Sequence, residues 1–337
     1  MTRQLRLLLL GSLLALAGCG STTVVKEPPV VVKGGGGPMP AGEPISSGAV
    51  RIAVVTHGQA SSPFWAVVRN GVEAAARQMD VLVTYRAPDV YTLDRMTALI
   101  DQAVASRPDG LVVSLPEPGV APAVRRAVRA GIPVVSINSG SDVYKTLGVL
   151  AHVGQPEERA GFEAGKRLAA AGARRVLCVN QQVENQGLKE RCRGLARAMR
   201  SAGGSSYVLV VDDQSAATPR RIADAARSGH IDGLLTMNAT TGLEAVTASR
   251  ILGYPPGLTI GTFDLGPDVL RAVKAGQLAF AVDQQAYLQG YLPVVMLAER
   301  ARYGLFPAQG DVVATGPNFV TRATAGKAIE LSKRSIR

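Results

Sequence analysis

Two short stretches decide the fold: Asp109-Gly110-Leu111-Val112-Val113 and Asp232-Gly233-Leu234-Leu235-Thr236. Each begins an apolar run that is followed by a loop, a helical pattern and a second apolar run. That second run ends at Asn138 in the first half and at Asp264 in the second. The same Asp-Gly-Leu start at the same place in both halves favours a real duplication over the chance self-similarity of an alternating chain. We therefore predict two similar lobes.

Around both stretches, short apolar runs alternate with amphipathic helical patterns from Ala49 onward. Residues 50–56 and 81–85 are typical strands, and residues 64–79 between them place apolar side chains at helical spacing. Regular alternation of this kind indicates a parallel sheet that is covered by helices on both faces. The predicted fold class is α/β, with two doubly wound parallel-sheet lobes.

The end of the chain predicts how the lobes are joined. Strand patterns at 278–283, 311–315 and 318–321 surround a long helical pattern at 287–303. We expect the chain to cross back to the first lobe and return, because several crossings make a hinge between lobes that close over a ligand. The predicted N-terminal lobe comprises residues 50–153 with 285–314, and the C-terminal lobe comprises 154–284 with 315–330.

The first residues carry a secretory signal pattern. Arg3 and Arg6 precede an apolar run of about 12 residues, which is too short for a membrane span of about 20. The ending Leu16-Ala17-Gly18-Cys19 resembles a bacterial lipobox. That resemblance implies removal of the signal peptide, residues 1–18, and acylation of Cys19. Residues 19–49, rich in Gly and Pro, predict a flexible tether, so we expect a protein lipid-anchored to a membrane in the periplasm or at the cell surface.

The formal net charge is +11, yet the basic residues are spread along the predicted helices. Aromatic residues make up only 4% of the chain, and no nucleic-acid-binding motif is present. We therefore expect no nucleic-acid partner. A solvated basic surface that favours contact with an anionic membrane explains the charge better.

Two cysteines remain after Cys19. Cys178 ends an apolar strand pattern, and Cys192 lies in the first turns of the next predicted helix. Neighbouring elements in an oxidising compartment favour a disulfide, with two buried free thiols as the alternative. No Cys-x-x-Cys pattern and no nearby histidine support a metal site, and no cofactor is expected.

The loops after the predicted strands are the candidate ligand site, because ligands of parallel sheets bind beyond the carboxyl ends of the strands. These loops are rich in amide, carboxylate and hydroxyl side chains, and they hold the single tryptophan, Trp65, beside Phe64. Sugars need planar polar groups for their hydroxyls and an aromatic surface for the apolar ring face. We interpret Phe64 and Trp65 as ligand contacts, against the alternative that they pack in the core at a helix start.

Several segments together carry a family resemblance. They are Ser61-Ser62-Pro63-Phe64-Trp65, the segment 131–138, His152-Val153-Gly154-Gln155, the Asn238 loop, Gly261-Thr262-Phe263-Asp264 and Val282-Asp283-Gln284. Over about residues 50–321 their order and spacing resemble periplasmic sugar-binding proteins of the ribose/galactose-binding type, which have the type I periplasmic binding protein fold.

The resemblance implies a substrate-binding lipoprotein that closes on a sugar and delivers it to the permease of an ABC transporter. It implies aromatic contacts at Phe64 and Trp65. It also implies polar contacts at Asn138, Asn238, Asp264 and Gln284. We expect the protein to be a monomer.

The chain departs from the ribose-type pattern at two places. Asn138-Ser139 stands where that pattern has Asp-Arg, and Lys189 stands where it has an arginine, with Arg191 close by as a substitute. These differences leave the ligand open among another pentose or hexose, a polyol such as inositol, and a nucleoside-like compound.

Three other functions compete with this one. An enzyme is disfavoured because His57, His152 and His230 are far apart in sequence and no nucleophile or phosphate-loop motif is present. A sugar-sensing repressor needs a DNA-binding domain where this chain has a signal and a tether. A sensor that presents a bound sugar to a membrane chemoreceptor or signalling kinase shares every predicted feature.

Overall fold

The computed structural model describes residues 48–58, 62–253, 257–307, 310–334 and 336. The signal segment, Cys19, the tether up to residue 47 and Ser61 lie outside the described residues. In the part of the chain that is described, no helix is long and apolar enough to span a membrane.

The described chain forms two six-stranded sheets. The first contains, in spatial order, β11 (Val312–Ala314), β5 (Ala151–Gly154), β4 (Val134–Ile137), β3 (Gly110–Ser114), β1 (Arg51–Val55) and β2 (Leu82–Arg86). The second contains β12 (Asn318–Thr321), β10 (Phe280–Asp283), β9 (Thr259–Phe263), β8 (Gly233–Thr236), β6 (Arg175–Asn180) and β7 (Ser205–Val210). Neighbouring strands are parallel except for β10 and β12.

Helices cover both faces of each sheet. The first sheet carries α1 (Pro63–Gln78), α2 (Leu93–Ala105), α3 (Ala121–Arg129) and α9 (Ala286–Tyr303). The second carries α4 (Glu157–Ala170), α5 (Gln186–Ser201), α6 (Thr218–Ser228), α7 (Ala239–Ile251), α8 (Pro267–Ala275) and α10 (Ala325–Ser332). In β3, Val112 points into one core cluster while Leu111 and Val113 point into another. The predicted fold class, two doubly wound parallel-sheet lobes, is confirmed.

The sequence pattern does not predict β5, α8 or α10. β5 is four residues long and contains the buried polar side chain of His152, so its apolar run is interrupted. α8 and α10 are only nine and eight residues long, too short for a periodic pattern to stand out. All three depend on packing against elements that are distant in sequence.

The duplicated aspartate performs the same task in both lobes. Asp109 accepts a hydrogen bond from the backbone N–H of Arg51 at the start of β1, at 2.8 Å. Asp232 accepts from the backbone N–H groups of Arg174 and Arg175 at the start of β6, at 2.8 and 2.7 Å. Each carboxylate fixes the first strand of its lobe to the strand that the Asp-Gly-Leu motif begins.

Glycines allow one helix pair in each lobe to approach backbone to backbone. A Cβ atom on Gly290 of α9 would lie 1.9 Å from the carbonyl oxygen of Val68 in α1, and one on Gly71 would lie 2.0 Å from that of Tyr287. In the other lobe, a Cβ on Gly194 of α5 would lie 2.0 Å from the carbonyl oxygen of Glu158 in α4. Gly71 of α1 and Gly194 of α5 lie in the helix that follows the first strand of each lobe. Both therefore allow that helix to approach its neighbour, α9 or α4, at backbone distance.

The chain passes between the two sheets three times. The passages are residues 155–156 between β5 and α4, 284–285 between β10 and α9, and 315–317 between β11 and β12, with a cis Gly316-Pro317 bond in the last. They run close together, since a Cβ on Gly316 would be 3.1 Å from Oε1 of Gln155 and 3.2 Å from the carbonyl oxygen of Asp283.

Gly290→Ala should destabilise the protein by at least about 2 kcal/mol, because the added methyl overlaps a backbone carbonyl that can move only with its helix. Thermal unfolding measures the loss. Gly326→Ala in α10 is the matched control, because its Cβ would meet no atom within 4 Å. We expect the control to be neutral or slightly stabilising. Equal melting temperatures for the two variants would refute the close packing of α1 against α9.

Candidate functional site

The candidate site is a cleft between the two lobes, at the carboxyl ends of the strands. Pro63, Phe64, Val67 and Ala286 line it from the first lobe, and Asp264, Leu265, Asp283 and Gln284 line it from the second. Three of the predicted ligand residues therefore line the same cleft: Phe64 from the first lobe, and Asp264 and Gln284 from the second. This is where the topology of two facing parallel sheets places a ligand.

Asp264 and Gln284 form the polar wall of the cleft. Asp264 follows β9 with φ of 69°, and its Oδ1 accepts a hydrogen bond from Nε2 of Gln284, which follows the neighbouring strand β10. Burial raises the pKa of the Asp264 carboxyl to about 6, although the nearby Arg191 and the Gln284 hydrogen bond act in the opposite direction. Oε1 of Gln284 is buried with no hydrogen-bond partner among the described residues, so it can accept from a ligand hydroxyl.

Only one of the two aromatic residues reaches the cleft. Phe64 lines it, whereas Trp65 is 7% exposed and belongs to the core cluster of the first lobe. The Trp65 ring packs edge-on against Phe64 and His57, with ring centroids 5.1 and 4.9 Å apart. Trp65 thus supports Phe64 from within the core.

Asn138 lies at the carboxyl end of β4, with φ of 63°, and is 7% exposed. Its Nδ2 donates to Oε1 of Gln289 in α9 at 3.3 Å, and its Oδ1 accepts from the Ser139 hydroxyl at 3.1 Å. The same hydroxyl lies 3.3 Å from Oδ1 of Asn185, the residue that caps α5 in the other lobe. Asn138 therefore lies beside a contact between the lobes, which its neighbour Ser139 makes.

Gln289 connects two of the three passages between the lobes, and no sequence pattern predicts it. Its buried Nε2 donates to the carbonyl oxygen of Gln284 at 3.1 Å and to the Thr315 hydroxyl at 3.2 Å. A glutamine inside a helix carries no sequence signal for this role, because its partners are remote in sequence.

Arg191, and not Lys189, is the buried cation of the second lobe. Its guanidinium binds Glu157 of α4 through two hydrogen bonds of 2.6 and 2.9 Å, and both side chains are at most 3% exposed. Its Nη1 donates to the carbonyl oxygen of Met237, and the group lies 4.3 Å above the ring of Phe263. Lys189 is 37% exposed and forms an ion pair with Glu184.

Asn238 caps α7 and faces an acidic neighbour. Its Oδ1 accepts from the backbone N–H of Thr241, and its Nδ2 donates to Asp213 at 2.8 Å. These bonds orient Asn238 at the carboxyl end of β8, but the cleft lining described above does not include it.

The two buried histidines are uncharged. Burial lowers the pKa of His57 to about 3 and that of His152 to about 4. Each ring shares a hydrogen bond with a serine hydroxyl, His57 with Ser114 at 2.8 Å and His152 with Ser136 at 3.0 Å. Among the described residues, no group of three or more His, Cys, Asp or Glu side chains is placed to hold a metal ion.

Cys178 in β6 and Cys192 in α5 form a disulfide in the structure, with Cα atoms 5.8 Å apart. Of the two arrangements that the sequence left open, this is the bridged one. The bond ties α5, which carries Arg191, to β6, which lies between β8 and the edge strand β7 in the second sheet. Cys19, the predicted lipidation site, lies outside the described residues.

Comparison with known proteins gives the family. A family model described as a periplasmic binding protein domain matches residues 52–304. The chain belongs to this family. It is also 33% identical to a carbohydrate transporter protein from Acidothermus cellulolyticus whose structure holds myo-inositol, with a TM-score of 0.79 and coverage of 86% of this chain and 100% of that one.

Two further relatives are sugar-binding proteins. The xylose/arabinose-binding protein XylF of Sulfolobus acidocaldarius is 26% identical over 299 residues, which covers 81% of this chain and 71% of XylF. The glucose-galactose binding protein GanP of Geobacillus stearothermophilus shares the fold, with a TM-score of 0.72 at 22% identity, over 82% of this chain and 98% of GanP. The chain therefore belongs to a family of extracytoplasmic binding proteins, which are not enzymes.

Asp264→Asn should stabilise the protein above pH 6 while removing a cleft carboxylate. The native pKa of about 6 lies above the usual value of 3.8, so the native state binds the proton more tightly and stability falls as pH rises between these values. The neutral amide escapes this cost, and we expect a melting temperature a few degrees higher. The gain should disappear below pH 4, where wild-type Asp264 is protonated in both states. A variant that is less stable than wild type above pH 6 would contradict the argument.

Proposed function

We propose that this protein binds a neutral sugar or cyclitol between its two lobes and delivers it to the permease of an ABC transporter. The observation that carries the proposal is the cleft itself. The aromatic side chain of Phe64 from one lobe lines the same cleft as two polar side chains of the other, Asp264 and Gln284. A hydroxylated ring has both an apolar face and a set of hydrogen-bonding groups, and this cleft offers a partner to each.

The polar groups of the cleft favour an uncharged ligand. The buried guanidinium of Arg191 already donates hydrogen bonds to both oxygens of Glu157 and to the carbonyl oxygen of Met237. It therefore has no pair of free N–H groups that could bind a carboxylate or phosphate through two parallel hydrogen bonds. Asp264 would repel an anion when it is ionised. The ligand classes supported by the relatives, myo-inositol for one and xylose or arabinose for another, are neutral polyols.

Binding and closure are linked through the passages between the lobes. Gln284 and Asp264 belong to the second lobe, and Gln284 also bonds through its carbonyl oxygen to Gln289 in the first. A ligand that engages both walls gains contacts only when the lobes are close, and its binding energy then favours the closed form. The closed form is the one we propose to dock on the permease.

A thermal-shift screen should show stabilisation by one or more of myo-inositol, xylose, arabinose, glucose and galactose. Glucuronate and glucose 6-phosphate, which add a negative charge, should give no shift. Asp264→Ala should abolish the shift that wild type shows, because it removes the carboxylate of the polar wall. Asp224→Ala in α6, an exposed carboxylate that does not line the cleft, is the matched control and should respond as wild type does. A shift with the charged sugars alone, or with none of the neutral ones, would overturn the ligand class.

We further propose that Cys19 is acylated and anchors the protein to a membrane. The support is the sequence alone, through the Leu-Ala-Gly-Cys ending and the Gly/Pro-rich residues that follow. Cells that express the protein and are fed an alkyne fatty acid should label it, and Cys19→Ser should lose the label. Labelling of the Cys19→Ser variant at the wild-type level would refute the site.

Capture of the labelled protein with a permease, and not with a chemoreceptor or signalling kinase, would support transport over sensing.

A further inference from the structure

The edge of the first lobe that lies opposite the cleft is formed by the amino ends of its strands. Because the strands of that sheet are all parallel, the carboxyl ends of α1, α2 and α9 reach the same edge. β1 begins at this edge with Arg51, three residues after Gly48, the first of the described residues. The residues that precede Gly48 in sequence therefore join the lobe at this edge.

Arginines gather at this edge. Arg51, Arg77 and Arg107 are exposed, and Arg302 is partly exposed. Two hydrogen bonds to backbone carbonyls position them: Arg51 donates to the carbonyl oxygen of Arg107 at 2.7 Å, and Arg302 donates to that of Asp80 at 2.8 Å. The acidic Asp109 at the same edge is engaged by the backbone N–H of Arg51, so its charge is partly satisfied within the protein.

Large apolar side chains lie exposed among these arginines. Leu82 is 61% exposed and pairs with Arg51 in the sheet register, and Tyr303 and Leu305 at the end of α9 are 43% and 61% exposed. The Arg302 bond to Asp80 brings the end of α9 beside the start of β2. We call this set of residues the tether edge; it comprises Arg51, Arg77, Arg107, Arg302, Leu82, Tyr303 and Leu305.

We propose that the tether edge binds the headgroup surface of an anionic membrane. Arginine with exposed leucine and tyrosine is the composition that settles at a lipid interface, where the guanidinium meets phosphate and the apolar side chains enter the acyl boundary. This edge is also the point at which the predicted lipid tether enters the fold. Contact here would hold the cleft away from the lipid, where solute reaches it.

The second lobe supplies a matched control surface. Its strand amino ends also carry exposed cations at helix ends, among them Arg200 of α5 and Lys274 of α8. If net charge alone attracted the protein to lipid, reversing two cations on either lobe would have the same effect. If the tether edge is the docking face, only reversals there matter.

The test uses the chain from Gly20 to Arg337, which contains every described residue and carries no lipid. Vesicles of phosphatidylcholine, with or without about a third of phosphatidylglycerol, are sedimented with the protein at low and at physiological salt. We expect binding to the anionic vesicles only, weakened by salt. Arg77→Glu with Arg107→Glu should lower partitioning by about tenfold or more, since each surface arginine contributes about fivefold. Arg200→Glu with Lys274→Glu should stay within about twofold of wild type.

Leu305→Ser tests the apolar part of the proposal and should weaken binding without changing the charge. Equal losses from the two charge-reversal variants, no loss from either, or equal binding to neutral and anionic vesicles would each overturn the tether edge as a lipid-binding face. Melting temperatures of the variants show that they are folded. The screen for sugar binding does not involve these residues, so failure of one proposal leaves the other standing.

Discussion

The buried amide of Gln289 is the contact on which the arrangement of the two lobes depends. It donates to Gln284 and Thr315 and accepts from Asn138, so it reaches two of the three passages between the lobes and the end of a strand in the first sheet. Each of these groups is buried, and an unpaired buried amide costs about 1–3 kcal/mol. Gln289 therefore fastens two of the passages to the end of β4, at the side of the cleft.

The cleft combines groups that are costly to bury. The Asp264 carboxyl is stabilised in its neutral form by burial, while the Arg191–Glu157 pair places two opposite charges behind the same wall. The Arg191–Glu157 pair carries no net charge, so the net charge of these three side chains is that of the Asp264 carboxylate when it is ionised. Such a wall suits hydroxyl groups, which both donate and accept hydrogen bonds without carrying charge.

Much of this could be predicted from the sequence because it depends on local pattern. The alternation of strands and helices and the repeated Asp-Gly-Leu motif predict the two lobes, and the structure gives the motif a task at the start of β1 and β6. Phe64, Asp264 and Gln284 could be placed at the cleft because each directly follows a strand or begins the helix after one. Trp65 and Lys189 could not be placed in this way, since one helical position decides whether a side chain faces the cleft, the core or solvent.

The sequence by itself determined the α/β class, the duplication, the passages near the end of the chain and most of the strand-end residues of the cleft, because periodicity and order along the chain encode them. Only the tertiary structure decided that Arg191 is the buried cation, that Trp65 supports Phe64 from the core, and that Gln289 joins the passages. The tertiary structure also shows that the ends of α1 and α9 lie beside the start of β2, at the edge opposite the cleft. These features depend on side chains that are far apart in sequence, and no local pattern records which of them meet.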